Sequence, residues 1–374
     1  MTHEYFGQQV SRLGFGLMRL PKLPGGAIDV EQVKEMADLF LEAGGTYFDT
    51  AYVYDGGESE KAFGKAVVER HPRESFTICT KLNAGHGCPD EETAKKQFGI
   101  SLERTGAGYF DFYLLHAIRP ESLKKYDEFG IWDFVRDKKE KGLVKHWGFS
   151  FHSTPEDLEM VLDKHPDVDF VQLQINYADW ENPDVRSGEC YRIAREHGKP
   201  IVVMEPVKGG FLAKLPRNVQ AVFDETGSSA STASWAVRYV ASLDGIMTVL
   251  SGMSSVAQMK DNLSYMKDFK PLTEDEYKVI AKAQEALKED ISIKCTACHY
   301  CTDGCPMNIP IPEIFALYNR FRQTYMAPPA KMAYRAATKD RGRASDCVSC
   351  GQCMAECPQN LEIPSLLKEC TDLE

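Results

Sequence analysis

The stretch that decides the fold is TYFDTAYVYDGGESE, residues 46–60. An apolar strand pattern ends at Phe48, the polar Asp49 and Thr50 follow at once, and Tyr54 stands just before the turn signal Asp55-Gly56-Gly57. A buried strand that hands over to polar residues and a tight turn is how a barrel delivers chemistry at its rim. Three more strand-like runs end the same way: TICTKL with Lys81, DFYLLHA with His116 and KHWGFSFH with Ser150. A helical pattern follows each, so these polar strand ends are expected to share one site.

The same alternation extends in both directions. SRLGFGLMRL (residues 11–20) reads as a first strand, and DVEQVKEMADLFLEAGG (29–45) as a helix closed by glycine. Further strands are expected at 46–51, 76–82, 110–117, 144–150, 169–177, 201–206 and 246–253, and helices at 60–70, 90–105, 132–142, 154–165, 185–198, 232–243 and 255–266. Eight strand–helix units in about 260 residues match an α/β fold of the (β/α)8 TIM-barrel type. A doubly wound sheet would alternate too, but it should carry a glycine-rich phosphate loop, and neither GxGxxG nor GxxxxGK[ST] occurs. An amphipathic helix at 273–290 leads into a second module, which gives a barrel domain at 1–290 and a smaller domain at 291–374 with a boundary near Asp290.

Composition narrows the function classes. The 374-residue chain carries a net charge of −11, and its first 290 residues hold no basic, aromatic-interleaved stretch, so nucleic acid is not an expected partner. The beginning MTHEYFGQQV has no apolar leader, and no run reaches the roughly 20 apolar residues that span a bilayer. A cytoplasmic protein without a membrane partner is expected. Cysteine use is uneven: Cys79, Cys88 and Cys190 lie in the first 290 residues and nine lie in the last 80. In a reducing compartment such a cluster reads as metal ligands rather than disulfides.

The strand-end residues have complementary chemistry. A free tyrosine has a pKa of about 10, and a neighbouring ammonium such as Lys81 is expected to lower that of Tyr54. Asp49 would hold Lys81 in place, and His116 would orient a substrate carbonyl. That gives a proton donor beside a polarised C=O, as hydride reduction of a carbonyl requires. Taken singly, each has a plainer reading: a turn residue for Asp49, a rim aromatic for Tyr54, a solvated end for Lys81, a satisfied core histidine for His116. Their combination on consecutive strands favours the catalytic reading.

In these motifs the chain resembles the aldo-keto reductase family over about residues 9–285: FDTAYVYDGGESEKAFG (48–64), TKLN (80–83), DFYLLHA (111–117), WGFSFH (147–152), QINY (174–177) and MEPVKGG (204–210). The resemblance implies a (β/α)8 barrel that transfers hydride between NAD(P)H and an aldehyde or ketone. It implies that Asp49, Tyr54, Lys81 and His116 form the catalytic tetrad, with Tyr54 the general acid. It also implies that Ser150 and Gln174 bind the nicotinamide carboxamide and that Asp261 and Asn262 bind adenine. The chain departs from the family in several places. Phe151 replaces a common Asn, with His152 as a substitute ligand for the carboxamide, and Met204 replaces the aromatic under the nicotinamide. Gly252 and Gln258 stand where a Lys and an Arg usually hold the 2′-phosphate, which leaves NADH and NADPH both open. Lys208, with Gly209 and Gly210, is a candidate for the pyrophosphate, and Arg19, Glu205, Trp147 and Trp180 for the substrate pocket.

The second module is written twice. KCTACHYCTDGCP carries Cys295, Cys298, Cys301 and Cys305, and DCVSCGQCMAECP carries Cys347, Cys350, Cys353 and Cys357, each as C-x2-C-x2-C-x3-C-P. The repeat continues in CPMNIPIP and CPQNLEIP. In two-cluster ferredoxins the fourth cysteine of such a run ligates the other cluster. The expected sets are therefore Cys295, Cys298, Cys301 and Cys357 for one [4Fe-4S], and Cys347, Cys350, Cys353 and Cys305 for the other. Zinc sites pair two C-x2-C hooks across a longer gap and fit less well. The long insert with helical period, EIFALYNRFRQTYM, resembles the α-helical type of ferredoxin. Between residues 320 and 343 stand seven cations, Arg320, Arg322, Lys331, Arg335, Lys339, Arg341 and Arg343, against one acid, Asp340. They either offset anionic clusters or dock an acidic electron-carrier protein.

Two functions follow. The first is an NAD(P)(H)-dependent oxidoreductase acting on a small polar aldehyde, ketone or sugar carbonyl, or on the corresponding alcohol, with an appended iron–sulfur module. The second is an iron–sulfur electron-transfer protein whose barrel is a scaffold or docking module. A hydride carries two electrons and a cubane accepts one, so a direct handoff is awkward without a flavin. No flavin motif is recognisable, although barrels can bind flavin phosphate without one.

Overall fold

The structure, a computed structural model, describes residues 1–85, 87–182, 185–288, 293–324 and 327–374. They form two compact units. The first comprises Met1–Glu181, Arg186–Pro206 and Ala233–Tyr277; the second comprises Asn182–Val185, Val207–Thr232 and Lys278–Glu374. The expected boundary near Asp290 falls in 289–292, outside the described residues. The segment 207–232 thus groups with the cysteine-rich residues, although in sequence it lies between barrel strands.

In the first unit a hairpin, β1 (Thr2–Tyr5) and β2 (Gln8–Ser11), precedes eight strands: β3 (Leu13–Gly16), β4 (Tyr47–Asp49), β5 (Thr77–Leu82), β6 (Phe110–Ile118), β7 (Val144–Phe151), β8 (Phe170–Gln174), β9 (Ile201–Met204) and β10 (Ile246–Ser251). All eight pair in parallel and close in the order β10-β3-β4-β5-β6-β7-β8-β9, the barrel expected from the sequence. The helices up to the second module are α1 (Val30–Glu42), α2 (Glu58–Phe63), α3 (Glu91–Thr105), α4 (Pro120–Glu128), α5 (Ile131–Glu140), α6 (Pro155–Lys164), α7 (Ser187–Glu196), α8 (Arg217–Asp224), α9 (Thr232–Ala241), α10 (Val256–Met266) and α11 (Glu274–Lys288). Among the described residues no helix is long and apolar enough to cross a membrane.

Local chemistry sets the helix starts. Asp29, Asp90, Thr154 and Ser255 each accept the backbone N–H three residues on, opening α1, α3, α6 and α10. Loss of such a cap costs about 1 kcal/mol. Three elements escaped the periodicity reading. The hairpin turns on Phe6 and Gly7, both left-handed, and its His3 Nε2 meets the Met247 carbonyl at 2.6 Å under the barrel. Helix α4 buries only Tyr126, so it shows almost no apolar stripe, and α8 buries only Val219 and Phe223.

Strand parity decides what enters the barrel. The interior layer is Val10, Tyr47, Cys79, Phe112, Leu114, Phe170, Val202, Met247 and Leu250. Side chains alternate along a strand, so Asp49, Lys81 and His116 share the inward face of Tyr47, Cys79 and Leu114, one step nearer the C-terminal rim. Their neighbour Phe48 faces outward and packs on Phe40 of α1 and Phe63 of α2, with ring centroids 5.2 and 5.4 Å away.

The second unit is helical after residue 293 among the described residues: α12 (Tyr300–Asp303), α13 (Ile311–Thr324), α14 (Ala327–Ala337), α15 (Gln352–Ala355) and α16 (Ile363–Cys370). The repeat in sequence is also a repeat in backbone. Left-handed residues recur at Ala297 and Ser349, His299 and Gly351, and Asn308 and Asn360. A core of Ile309, Ile311, Ile314, Phe315, Tyr334, Ile363 and Leu367 joins the two copies.

Candidate functional site

At the barrel rim the ammonium of Lys81, fully buried, donates to Asp49 Oδ1 at 2.5 Å and to the Thr50 carbonyl at 2.6 Å. Its Nζ lies 4.8 Å from the Tyr54 ring centroid, and the Tyr54 ring meets His116 edge-on at 5.7 Å. The structure therefore brings Asp49, Tyr54, Lys81 and His116 together.

One electrostatic expectation is corrected. Lys81 does not pull the Tyr54 phenol down; burial pushes it well above 10, and the charge of Asp49 adds to the rise. The ammonium is engaged by Asp49 and lies over the ring, so desolvation of the phenolate dominates. Burial likewise raises the Asp49 carboxyl against the pull of Lys81. His116 is held well below its usual range, first by burial and then by Lys81, His152 and Arg119, so its imidazole is neutral. The half-buried His152 is held down at about 3 by burial, then Arg119 and Lys81, and its Nδ1 has no partner among the described residues.

The loop that carries Tyr54 has its own anchor, which sequence reading missed. Asp55, Gly56 and Gly57 are left-handed at φ 54, 63 and 94°. A Cβ at Gly57 would collide with the Arg104 guanidinium. Arg104 Nη1 donates to the Tyr52 carbonyl at 3.0 Å and to Glu60 Oε2 at 3.1 Å, while Thr80 Oγ1 donates to Glu60 Oε1 at 2.7 Å. The fully buried Glu60 thus ties the Tyr54 loop to the strand bearing Lys81. The available signal was Glu60 inside the quoted stretch, an acid at a buried helical position.

On the opposite strands, Ser150 Oγ accepts the Ala117 N–H at 2.8 Å. Gln174 Nε2 donates to Asp179 Oδ2 at 3.0 Å, and Asn176 Nδ2 donates to the same oxygen at 2.7 Å. Asp179, fully buried, fixes both amides and is a further residue absent from the sequence reading. Gln172 Nε2 reaches Met204 Sδ at 3.5 Å and leaves its buried Oε1 without a partner among the described residues. At the start of α10, Gln258 Oε1 accepts the Ser254 N–H at 2.6 Å, so this amide is engaged in starting the helix. Asn262 is buried, donates to the Gln258 carbonyl at 3.0 Å and keeps a buried, unpartnered Oδ1. An orphaned acceptor of that kind suits the exocyclic amine of an adenine. Gly252 lies under the methylenes of Arg19, and Asp261 stands on the same helix.

Of the pocket candidates, Arg19 and Glu205 lie close enough to act electrostatically on Tyr54, with opposite signs. Trp147 does not line the pocket. It faces outward from β7, edge-on to Trp132 at 6.1 Å with Arg136 5.4 Å above its ring. Trp180 packs on Tyr191 and Tyr239, 5.5 and 6.0 Å away. Lys208 is buried in the second unit, where its Nζ donates to Gln359 Oε1 at 2.5 Å.

In the second unit all the cysteines are free of disulfides. Cys295, Cys298, Cys301 and Cys357 line one cavity. Cys305, Cys347, Cys350 and Cys353 line another. Each cavity takes three thiols from one repeat and the fourth from the other, a soft donor set suited to iron–sulfur clusters. The two differ in exposure. Thr296 is 2% exposed, whereas its counterpart Val348 is 60% exposed; Gln359 is 4% exposed and its counterpart Met307 38%.

The rim holds a buried lysine–carboxylate pair beside a protonated tyrosine and a neutral histidine. The chain belongs to the aldo/keto reductase family, whose model matches residues 12–285, and a 4Fe-4S dicluster domain matches residues 294–361. The uncharacterised oxidoreductase YqkF of Bacillus subtilis (strain 168) is 24% identical over 311 residues, covering 75% of this chain and 94% of its own. L-galactose dehydrogenase of Arabidopsis thaliana is 25% identical, covering 72% and 88%. Among solved structures, the aldo-keto reductase AKR11C1 from Bacillus halodurans in its holo form superposes with a TM-score of 0.59 at 25% identity, covering 75% of this chain and 94% of its own. An aldo-keto reductase from Klebsiella pneumoniae in complex with NADPH shares the fold at 17% identity and a TM-score of 0.56, covering 74% and 92%.

Proposed function

We propose that this oxidoreductase reduces a small polar aldehyde, ketone or sugar carbonyl with NADPH or NADH, using Tyr54 as the proton donor. A reduced nicotinamide, when bound, supplies the hydride that goes to the carbonyl carbon. Tyr54 Oη gives its proton to the carbonyl oxygen, so the product is the alcohol. The observation that carries this reading is the buried Lys81–Asp49 pair, 4.8 Å by Lys81 Nζ from the ring of a tyrosine that burial keeps protonated. A protonated phenol is the form from which a proton can be given to the carbonyl oxygen. The neutral His116 is free to hydrogen-bond the carbonyl oxygen and hold it at Tyr54.

The residues present fit the dinucleotide. Ser150 and Gln174 would hold the carboxamide, Met204 would stand in for the aromatic platform, and Asp261 with the orphaned Asn262 Oδ1 would hold adenine. Gly252 and Gln258 offer no cation for a 2′-phosphate, so NADH use is compatible with the site. The opposite charges of Arg19 and Glu205 near Tyr54 favour a polar substrate. Replacing Tyr54 by Phe tests the assignment: reduction of a carbonyl panel is expected to fall about 10²–10⁴-fold with nucleotide binding retained, and unchanged turnover would sink it.

In the second unit, Cys295, Cys298, Cys301 and Cys357 would hold one [4Fe-4S] cluster, and Cys305, Cys347, Cys350 and Cys353 the other. The second reading, an electron-transfer protein, draws on the exposed Cys350 and Val348 and on the excess of cations in the sequence of 320–343. An acidic one-electron carrier protein suits that surface, and a reducing cytoplasm suits the thiols.

A further inference from the structure

Lys208 follows β9 in a left-handed conformation, φ 46°, as do Gly209 and Gly210 at φ 63 and 95°. Lys208 is 2% exposed, and its ammonium donates to Oε1 of Gln359, a residue 4% exposed. Gln359 stands two residues beyond Cys357 and lines the first cysteine cavity together with Pro358. The next residue, Gly209, lies against Thr296 so tightly that a Cβ there would come within 2.6 Å of Thr296 Cα. Thr296 lies between Cys295 and Cys298 and lines the same cavity. Two residues further on, Phe211 has Lys294 Nζ 4.6 Å from its ring centroid. The segment 207–213 therefore packs behind two residues that line the first cavity, Thr296 and Gln359, and Lys208 is the buried cation there.

We propose that Lys208, held by Gln359, belongs to the first iron–sulfur site and raises that cluster's reduction potential. This rests on the reading of Cys295, Cys298, Cys301 and Cys357 as ligands of one [4Fe-4S]. A cubane on four thiolates is anionic, and one-electron reduction adds a further negative charge. A fixed ammonium in surroundings shielded from water stabilises the reduced form more than the oxidised one, and net charge and hydrogen bonding are the levers that set such potentials. The second cavity has Met307 at the place of Gln359, so this cation acts on one cluster of the pair.

The test is an anaerobic, EPR-monitored redox titration of the full chain with dithionite, the first cluster being the signal lost in Cys295→Ser. Lys208→Met is expected to lower the equilibrium constant for its reduction about tenfold, which is about 59 mV for a one-electron couple. The second cluster stays in place and Lys208→Arg stays near wild type. Gln359→Leu, which removes the acceptor and keeps the lysine, is expected to shift the same signal in the same direction, and it decides the matter if Lys208→Met fails to load. Unmoved potentials, or equal shifts of both clusters, overturn the proposal. So does a loss of NADPH affinity in Lys208→Met at unchanged potentials, which would return the lysine to the nucleotide. A wild-type chain without cluster signals would instead overturn the reading of the cysteines.

Discussion

The two cysteine repeats share one backbone and two environments. Their left-handed residues fall in register, Ala297 with Ser349 and Asn308 with Asn360, because the same C-P-x-N and C-x2-C spacings demand the same turns. Yet Thr296 is buried where Val348 is exposed, and Gln359 is buried where Met307 is not. The residues around the thiols, not the ligand spacing, leave the second site more exposed than the first. Solvent access and nearby charge set a cluster's potential and its reach to partners, so with clusters on these thiols the duplication would supply two different electronic sites from one motif.

The strongest way to break the comparison is to remove the thiol each repeat lends to the other. Cys357→Ser is expected to abolish the first cluster and Cys305→Ser the more exposed second one, each leaving about four of about eight iron atoms. Iron content and EPR check this; loss from Cys357→Ser of the signal that depends on Cys347 would show that ligands are not crossed. A smaller effect should follow from charging the more exposed side alone. Val348→Glu is expected to slow electron exchange with a small acidic carrier about tenfold at low salt, with the difference fading as ionic strength rises. Stopped-flow rates against salt decide it, and a rate indifferent to both would remove the carrier from consideration.

The smallest effect separates the barrel from both repeats. Burial holds His165 down at about 4 and His152 at about 3, and His165 stacks on Trp132 with ring centroids 3.6 Å apart. Histidines whose folded pKa lies below the unfolded value of about 6.5 bind their protons in the unfolded chain first, so stability is complete above about 6.5 and is lost as pH falls toward about 4. Trp132, Trp147, Trp180 and Trp235 all lie in the barrel unit, and their fluorescence reports its unfolding. The melting temperature is expected to fall between pH 7 and pH 5, and His165→Phe, which keeps the stack, to flatten that fall. An unchanged slope in the variant would show that His165 contributes nothing.

The fold was legible because parallel barrel strands read as apolar runs that stop at polar residues, and Asp49, Lys81 and His116 sit at those stops. The cysteine partition was legible because the run C-x2-C-x2-C-x3-C-P is one whose fourth thiol serves the other cluster in two-cluster ferredoxins. What escaped depended on facts that a linear reading lacks. A strand buried on both faces, such as KHWGFSF, shows no alternation, so Trp147 could be taken for an inward residue when the parity of Ser150 sends it outward. The Tyr54 shift was misjudged because charge was weighed without desolvation. The anchor Arg104–Glu60 joins residues 44 apart, and Lys208 meets Gln359 across 151 residues. Asp179, a buried acid in a loop, had no pattern to betray it.

The crossed thiols also constrain biosynthesis. The cavity begun by Cys295, Cys298 and Cys301 is closed by Cys357, so a nascent chain that has exposed only the first repeat offers an incomplete cradle. On the reading of these thiols as cluster ligands, loading would be a late event, in which both centres become fillable together once the second repeat has left the ribosome.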